Sequence, residues 1–143
     1  MIAHGVTCLL AAFFFIASIH SAFALNDDQV GPHGGVLQAA GSFHAELRSL
    51  SNTRLVLYLL DELHKNPTAE NSSVGVMLRA KNRDSGLNCE KKDNHFDCET
   101  AQGILMSEGD EIIINATRKG IYGGAVFYRV PLQSTASYAI ERR

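Results

Sequence analysis

The apolar residues of this chain come in short runs, each closed by a cluster of Gly, Asn, Asp or Ser, and no long stretch repeats at the helical period. Such punctuation excludes a helical bundle and directs the chain to strands and turns. The runs are Gly34 to Gln38, Ser42 to Leu50, Arg54 to Asp61, Ser73 to Lys81, Gly103 to Met106, Glu111 to Arg118 and Ala125 to Leu132. "RLVLYLLD" is continuously apolar and reads as a central strand covered on both faces. In "SVGVMLRAK", Val74, Val76 and Leu78 alternate with Gly75, Met77 and Arg79, the pattern of a strand with one face in the core. About seven strands at roughly even spacing predict an all-β fold, an antiparallel sandwich immunoglobulin-like in style. "KGIYGG" reads as a turn, and "QSTASYAIERR" as a last edge strand or a loosely held end.

The start of the chain follows different rules. Cys8 to Ile19 is an apolar run of the length found in secretory signals, too short to span a bilayer as a helix. Ala22-Phe23-Ala24 follows it with the small-x-small pattern of a cleavage site. Residues 1–24 are therefore expected to be a signal peptide, with an uncleaved anchor as the competing reading because the leading residues lack Lys and Arg. Residues 25–143 then form one domain, periplasmic or secreted, with no stable membrane association after cleavage. The formal net charge is −2 with no basic cluster, which argues against nucleic acid as a partner.

Two cysteines remain beyond the expected cleavage point, Cys89 and Cys98, in the polar segment "CEKKDNHFDC". In an oxidising compartment such a pair is expected to form a disulfide that closes a short hairpin. The alternative is a metal site using both thiolates and His95, for which eight intervening residues are more than structural zinc sites favour.

No nucleophile elbow and no glycine-rich phosphate loop is present. Asp61 and Glu62 are adjacent at a strand end, so their side chains diverge and are read as turn acids. The chain is not expected to be an enzyme. Its chemistry rests on histidines: His33 among glycines in "GPHGG", and His44 two residues before Glu46 in "SFHAEL". On a strand, His44 and Glu46 share a face. If the connection is the two-residue turn Ala40-Gly41, His33 lies opposite Arg48 and joins that face; a three-residue turn sends it to the other. Two imidazoles and a carboxylate suit zinc or cupric copper, and His64 on the "LHKNP" turn is a weaker fourth candidate. The plain alternative is that all four are ordinary polar residues of an exposed hairpin.

"GPHGGVLQAAGSFHAEL" followed by "LVLYLLDELHKNP" resembles a small periplasmic domain seen at the head of some heavy-metal efflux periplasmic adaptors. The resemblance rests on Gly31, Pro32, His33, Gly34, Gly35, His44, Glu46, Leu47, Tyr58, Asp61 and Pro67. It covers under a third of the mature chain, and the cysteine segment looks like an insertion relative to it. It implies heavy-metal handling without fixing the metal. The expectation is an exported protein that binds copper or zinc through His33, His44, Glu46 and His64, buffering the ion or passing it to a metal-efflux adaptor. The alternative expectation is a metal-free periplasmic interaction module.

Overall fold

The computed structural model describes residues 29–132, and the expected signal peptide and the segment after Leu132 lie outside them. Among the described residues, ten strands form two antiparallel sheets. They are β1 (Gln29–Val30), β2 (Val36–Ala40), β3 (Phe43–Ser49), β4 (Arg54–Leu60), β5 (Ser73–Ala80), β6 (Arg83–Gly86), β7 (Asn88–Lys91), β8 (Phe96–Glu99), β9 (Glu111–Arg118) and β10 (Ile121–Arg129). One sheet has the order β1-β2-β3-β4-β8-β7, the other β10-β9-β5-β6. The all-β sandwich expectation holds.

Four strands lie outside the seven expected runs: the two-residue β1, and three short strands in "AKNRDSGLNCEKKDNHFDC", of which β6 and β7 are polar and β8 is only four residues long. In the other direction, Gly103 to Met106 forms no strand; Met106 enters the core from a loop. The expected turn at "KGIYGG" shrinks to Lys119-Gly120, both at positive φ (48° and 80°) as a type I′ hairpin turn requires. Strand β10 therefore starts at Ile121, with a bulge between Tyr122 and Ala125.

The core lies between the sheets. Phe43, Ala45 and Leu47 of β3, Leu55, Leu57 and Leu59 of β4, and Phe96 and Cys98 of β8 face Val76, Leu78, Ile112, Ile114, Val126 and Tyr128 of the other sheet. Strand β4 sits between β3 and β8 and is buried along nearly all its length, which is why its sequence is continuously apolar. The Tyr128 hydroxyl donates to the Ala45 carbonyl at 2.8 Å, a polar tie between the layers within the core.

The register of the β2–β3 hairpin decides where the histidines go. Ala40 pairs with Phe43, so the turn residues are Gly41-Ser42 and not Ala40-Gly41. Gly41 has φ 68°, the conformation a type II′ turn requires at its first position, and this shifts the turn one residue along the chain. The shift leaves Ala40 and Phe43 both in the core.

Cys89 and Cys98 are directly opposed across β7 and β8 and form a disulfide. Its cross-link pins the edge strand of the six-stranded sheet to a buried neighbour and is compatible with an oxidising compartment. The bridge spans nine residues of sequence. Loop-closure entropy for a loop of that size is worth about 2–3 kcal/mol. Reduction, or Cys89→Ser with Cys98→Ser, is expected to lower unfolding free energy by that amount in a urea titration. A change below about 0.5 kcal/mol would show that β7 holds its place without the bridge.

Candidate functional site

The polar residues singled out from the sequence lie on the outer face of the six-stranded sheet. Because Phe43, Ala45 and Leu47 point inward, His44, Glu46 and Arg48 point outward. The pairing of β3 with β4 sets Leu60 opposite His44, Tyr58 opposite Glu46 and Val56 opposite Arg48. On this outer face Glu46 is nevertheless fully buried.

Its cover is the segment that carries His33. Strand pairing of β2 stops at Val36, and residues 31–35 fold into a turn closed by Gly34 N–H to the Gly31 carbonyl (3.0 Å) and Gly31 N–H to the Gly35 carbonyl (2.9 Å). The backbone N–H groups of His33 and Gly35 both donate to Glu46 Oε1, at 2.8 and 2.9 Å. The His33 ring places Nδ1 2.7 Å from Glu46 Oε2. His33 thus reaches Glu46 through a tight turn and not through hairpin register. Gly34 takes φ 79° to make the turn, and a Cβ at Gly31 would collide with the Glu46 carboxyl group. The glycines of "GPHGG" are there because backbone must pass directly over a carboxylate.

The other face of the cluster is aromatic. The His33 ring stacks on Tyr58 with centroids 3.7 Å apart and planes within 1°. Beyond Tyr58 lies His95, tilted at 41° with centroids 5.4 Å apart, and its Nε2 is 3.3 Å from Asp97 Oδ1. Tyr58, one of the residues that carry the resemblance, was not among the expected site residues. The available signal was its register with Glu46, which the spacing of β3 and β4 could have given.

His44 and His64 form a separate pair. The chain leaves β4 at Leu60, opposite His44, and turns at once. Asp61 organises this turn: Oδ1 accepts from the backbone N–H of Leu63 (3.0 Å) and Lys65 (2.8 Å), and Oδ2 from the Asn66 amide (2.6 Å). These bonds, the Lys65 backbone N–H foremost, hold the Asp61 carboxyl below its ordinary pKa. Asp61 is a turn acid, as its position at a strand end implies. Arg118 of β9 anchors the far side by donating from Nη2 to the Asn66 carbonyl at 2.7 Å. His64 is held at φ 59°, a left-handed conformation uncommon outside glycine. Its ring meets the edge of His44 with centroids 4.3 Å apart at 79°.

Nδ1 of His44 is buried and has no hydrogen-bond partner among the described residues. Burial lowers the His44 pKa first, and the neighbouring His64 lowers it further, while the Asp61 backbone and the charges of Glu62 and Asp61 oppose the shift less strongly. The ring therefore takes up a proton less readily than a free histidine does.

The four residues expected as ligands are thus placed as two couples, His33 with Glu46 and His44 with His64. Among the described residues no group of three or more His, Cys, Asp or Glu is arranged to hold a metal ion. The Cys89 and Cys98 sulfurs are bonded to each other, which removes them and His95 from the thiolate alternative. No family model matches the chain, and no curated protein or solved structure matches it.

Two outcomes follow from this geometry. Glu46→Ala leaves the buried Gly35 amide and the half-buried His33 amide without an acceptor and opens a cavity, and is expected to cost about 2–4 kcal/mol of stability by urea denaturation. A cost below 1 kcal/mol would mean that the turn does not depend on the carboxylate. In an NMR pH titration, His44 is expected to protonate below the 6.5 of an ordinary histidine, and His64→Ala should move its midpoint upward. Since the folded pKa is the lower one, the unfolded chain binds the proton more readily. This contribution to stability is intact above about pH 6.5 and is lost as pH falls towards the folded pKa.

Proposed function

We propose that this protein is an exported binder of a transition-metal ion, copper or zinc, and that His44 and His64 are its protein ligands. The observation that carries this reading is the His44–His64 couple: two imidazoles in edge contact, one with a buried nitrogen that has no hydrogen-bond partner among the described residues. Buried polar atoms in native proteins are nearly always hydrogen-bonded, and an orphaned imidazole nitrogen beside a second imidazole is the donor chemistry that zinc and cupric copper take. Glu62, whose charge acts on His44, supplies a carboxylate on the same loop.

His33 and Glu46 have a different part. Glu46 spends both oxygens on the turn, and a His33 nitrogen is engaged by it, so this couple builds the sheet face that the metal-binding couple stands on. A two-imidazole site leaves coordination positions for water or for donors of another protein, which suits handing an ion on more than storing it. The resemblance of "GPHGG" and "HAEL" to the head segment of heavy-metal efflux periplasmic adaptors points to such an adaptor as the recipient. A metal-free interaction module is the second reading, favoured by the completeness with which Glu46 is satisfied within the chain.

Titration of Cu²⁺ and Zn²⁺ by calorimetry separates the two. The wild-type protein is expected to bind one equivalent at micromolar affinity or tighter. His44→Ala with His64→Ala should weaken binding by at least tenfold, and His33→Ala should change it by less than threefold while lowering stability. Equal loss in both variants would place the ion at His33 instead. No binding by the wild type would leave the metal-free module.

A further inference from the structure

The outer face of the four-stranded sheet is ordered in rows that run across the strands. Register sets Gly86 of β6, Met77 of β5, Ile113 of β9 and Phe127 of β10 side by side. All four point away from the core, since Val76, Leu78, Ile112, Ile114, Val126 and Tyr128 fill it. Ile113 is covered by its neighbours, but Met77 and Phe127 remain 36% and 50% exposed. The next row, two residues along each strand, is Asp84, Arg79, Glu111 and Arg129. Its charges alternate across the sheet: negative, positive, negative, positive. Arg79 lies 3.3 Å from Asp84 and 3.7 Å from Glu111, whereas Arg129 has no ion-pair partner among the described residues.

We propose that this face is a homodimer interface, its occupant the same face of a second copy of the chain, related by a two-fold axis that runs along the strands between β5 and β9. That operation reverses the order of each row. Asp84 then meets the second copy's Arg129, and Arg79 meets its Glu111, so every position in the charged row faces the opposite sign and Arg129 gains a partner. In the apolar row Met77 lies over the second Ile113, and Phe127 over the second Gly86, where the space above the backbone is open. An alternating row of four charges is complementary to its own reversal, and a two-fold interface needs that property.

The contact is small. Four strands about 4.8 Å apart and some seven residues long offer roughly 450 Å² per copy. An area of that size belongs with weak, reversible associations, so the dissociation constant is expected in the range of tens to hundreds of micromolar. The inference does not rest on metal binding, because the His44–His64 couple lies on the other sheet.

Sedimentation equilibrium of the purified protein between about 10 µM and 1 mM tests it. The wild type should shift from monomer to dimer over this range. Phe127→Asp is at an exposed position and should fold, with an unchanged circular dichroism spectrum, while weakening the dimer at least tenfold. Glu111→Arg should weaken it as well, because like charges then oppose across the axis. Adding Arg79→Glu to Glu111→Arg should restore the constant to within threefold of wild type. A wild type that stays monomeric at 1 mM, a dimer indifferent to Phe127→Asp, or a double variant no better than Glu111→Arg alone would overturn the proposal. The first of these would leave the face to a different partner.

Discussion

A buried carboxylate on the solvent side of a sheet governs the local structure of this protein. Removing an ionisable side chain from water is costly unless its oxygens are met by donors. Glu46 meets this condition by wrapping a turn around itself: the amides of His33 and Gly35 converge on one oxygen and the His33 ring takes the other. Two backbone amides of one turn aimed at a single point, here with the Gly34 N–H between them turned to the Gly31 carbonyl, form a concavity of the kind that holds anions. Here the chain supplies its own anion. The path from β1 into β2, the glycines at 31, 34 and 35, and the stacking of His33 on Tyr58 all follow from that one requirement.

The same requirement sorts the histidines. His33 is held by a carboxylate and by a tyrosine ring, and its orientation is fixed from two sides. His44 stands two residues from Glu46 on the same strand face, yet its Nδ1 is buried and meets no hydrogen-bond partner among the described residues. One imidazole completes a structure and the other leaves something incomplete. Proximity along a strand therefore says little about shared chemistry. What separates the two histidines is how fully each nitrogen is satisfied.

The sequence made the layered fold legible where side-chain alternation reports burial. Strand β5 shows the clean in-and-out pattern, and β4 the unbroken apolar run of a strand flanked on both sides. The strands β6 and β7 escaped because their polar residues carry no such signal, and β8 because its alternation of buried Phe96 and Cys98 with Asp97 and Glu99 runs for only four residues. His33 was expected on the face of His44 and Glu46 only if the hairpin set it opposite Arg48, whereas it meets Glu46 from outside the hairpin pairing. His33 lies beyond the last paired residue of β2 and arrives through a turn. The contact between His44 and His64 was hidden for a related reason. It depends on a non-glycine residue at positive φ, stabilised by Asp61 caps that are each individually ordinary. Local sequence names the turn acid; it does not say over which residue the turn will fold.

The two outer faces of the sandwich are chemically unlike, and this difference has consequences for how the molecule could be assembled. The six-stranded sheet turns out histidines, a tyrosine and Asp97 around the buried Glu46, while the four-stranded sheet turns out an apolar row bordered by alternating charge. Burying the second face would remove apolar surface from water, which favours association whatever the polar face carries. Burying the first would desolvate imidazoles and carboxylates and leave their nitrogens and oxygens to find new partners. Association through the four-stranded sheet would therefore cost the least, and it would leave the His44–His64 couple, which stands at the opposite face, outside the contact.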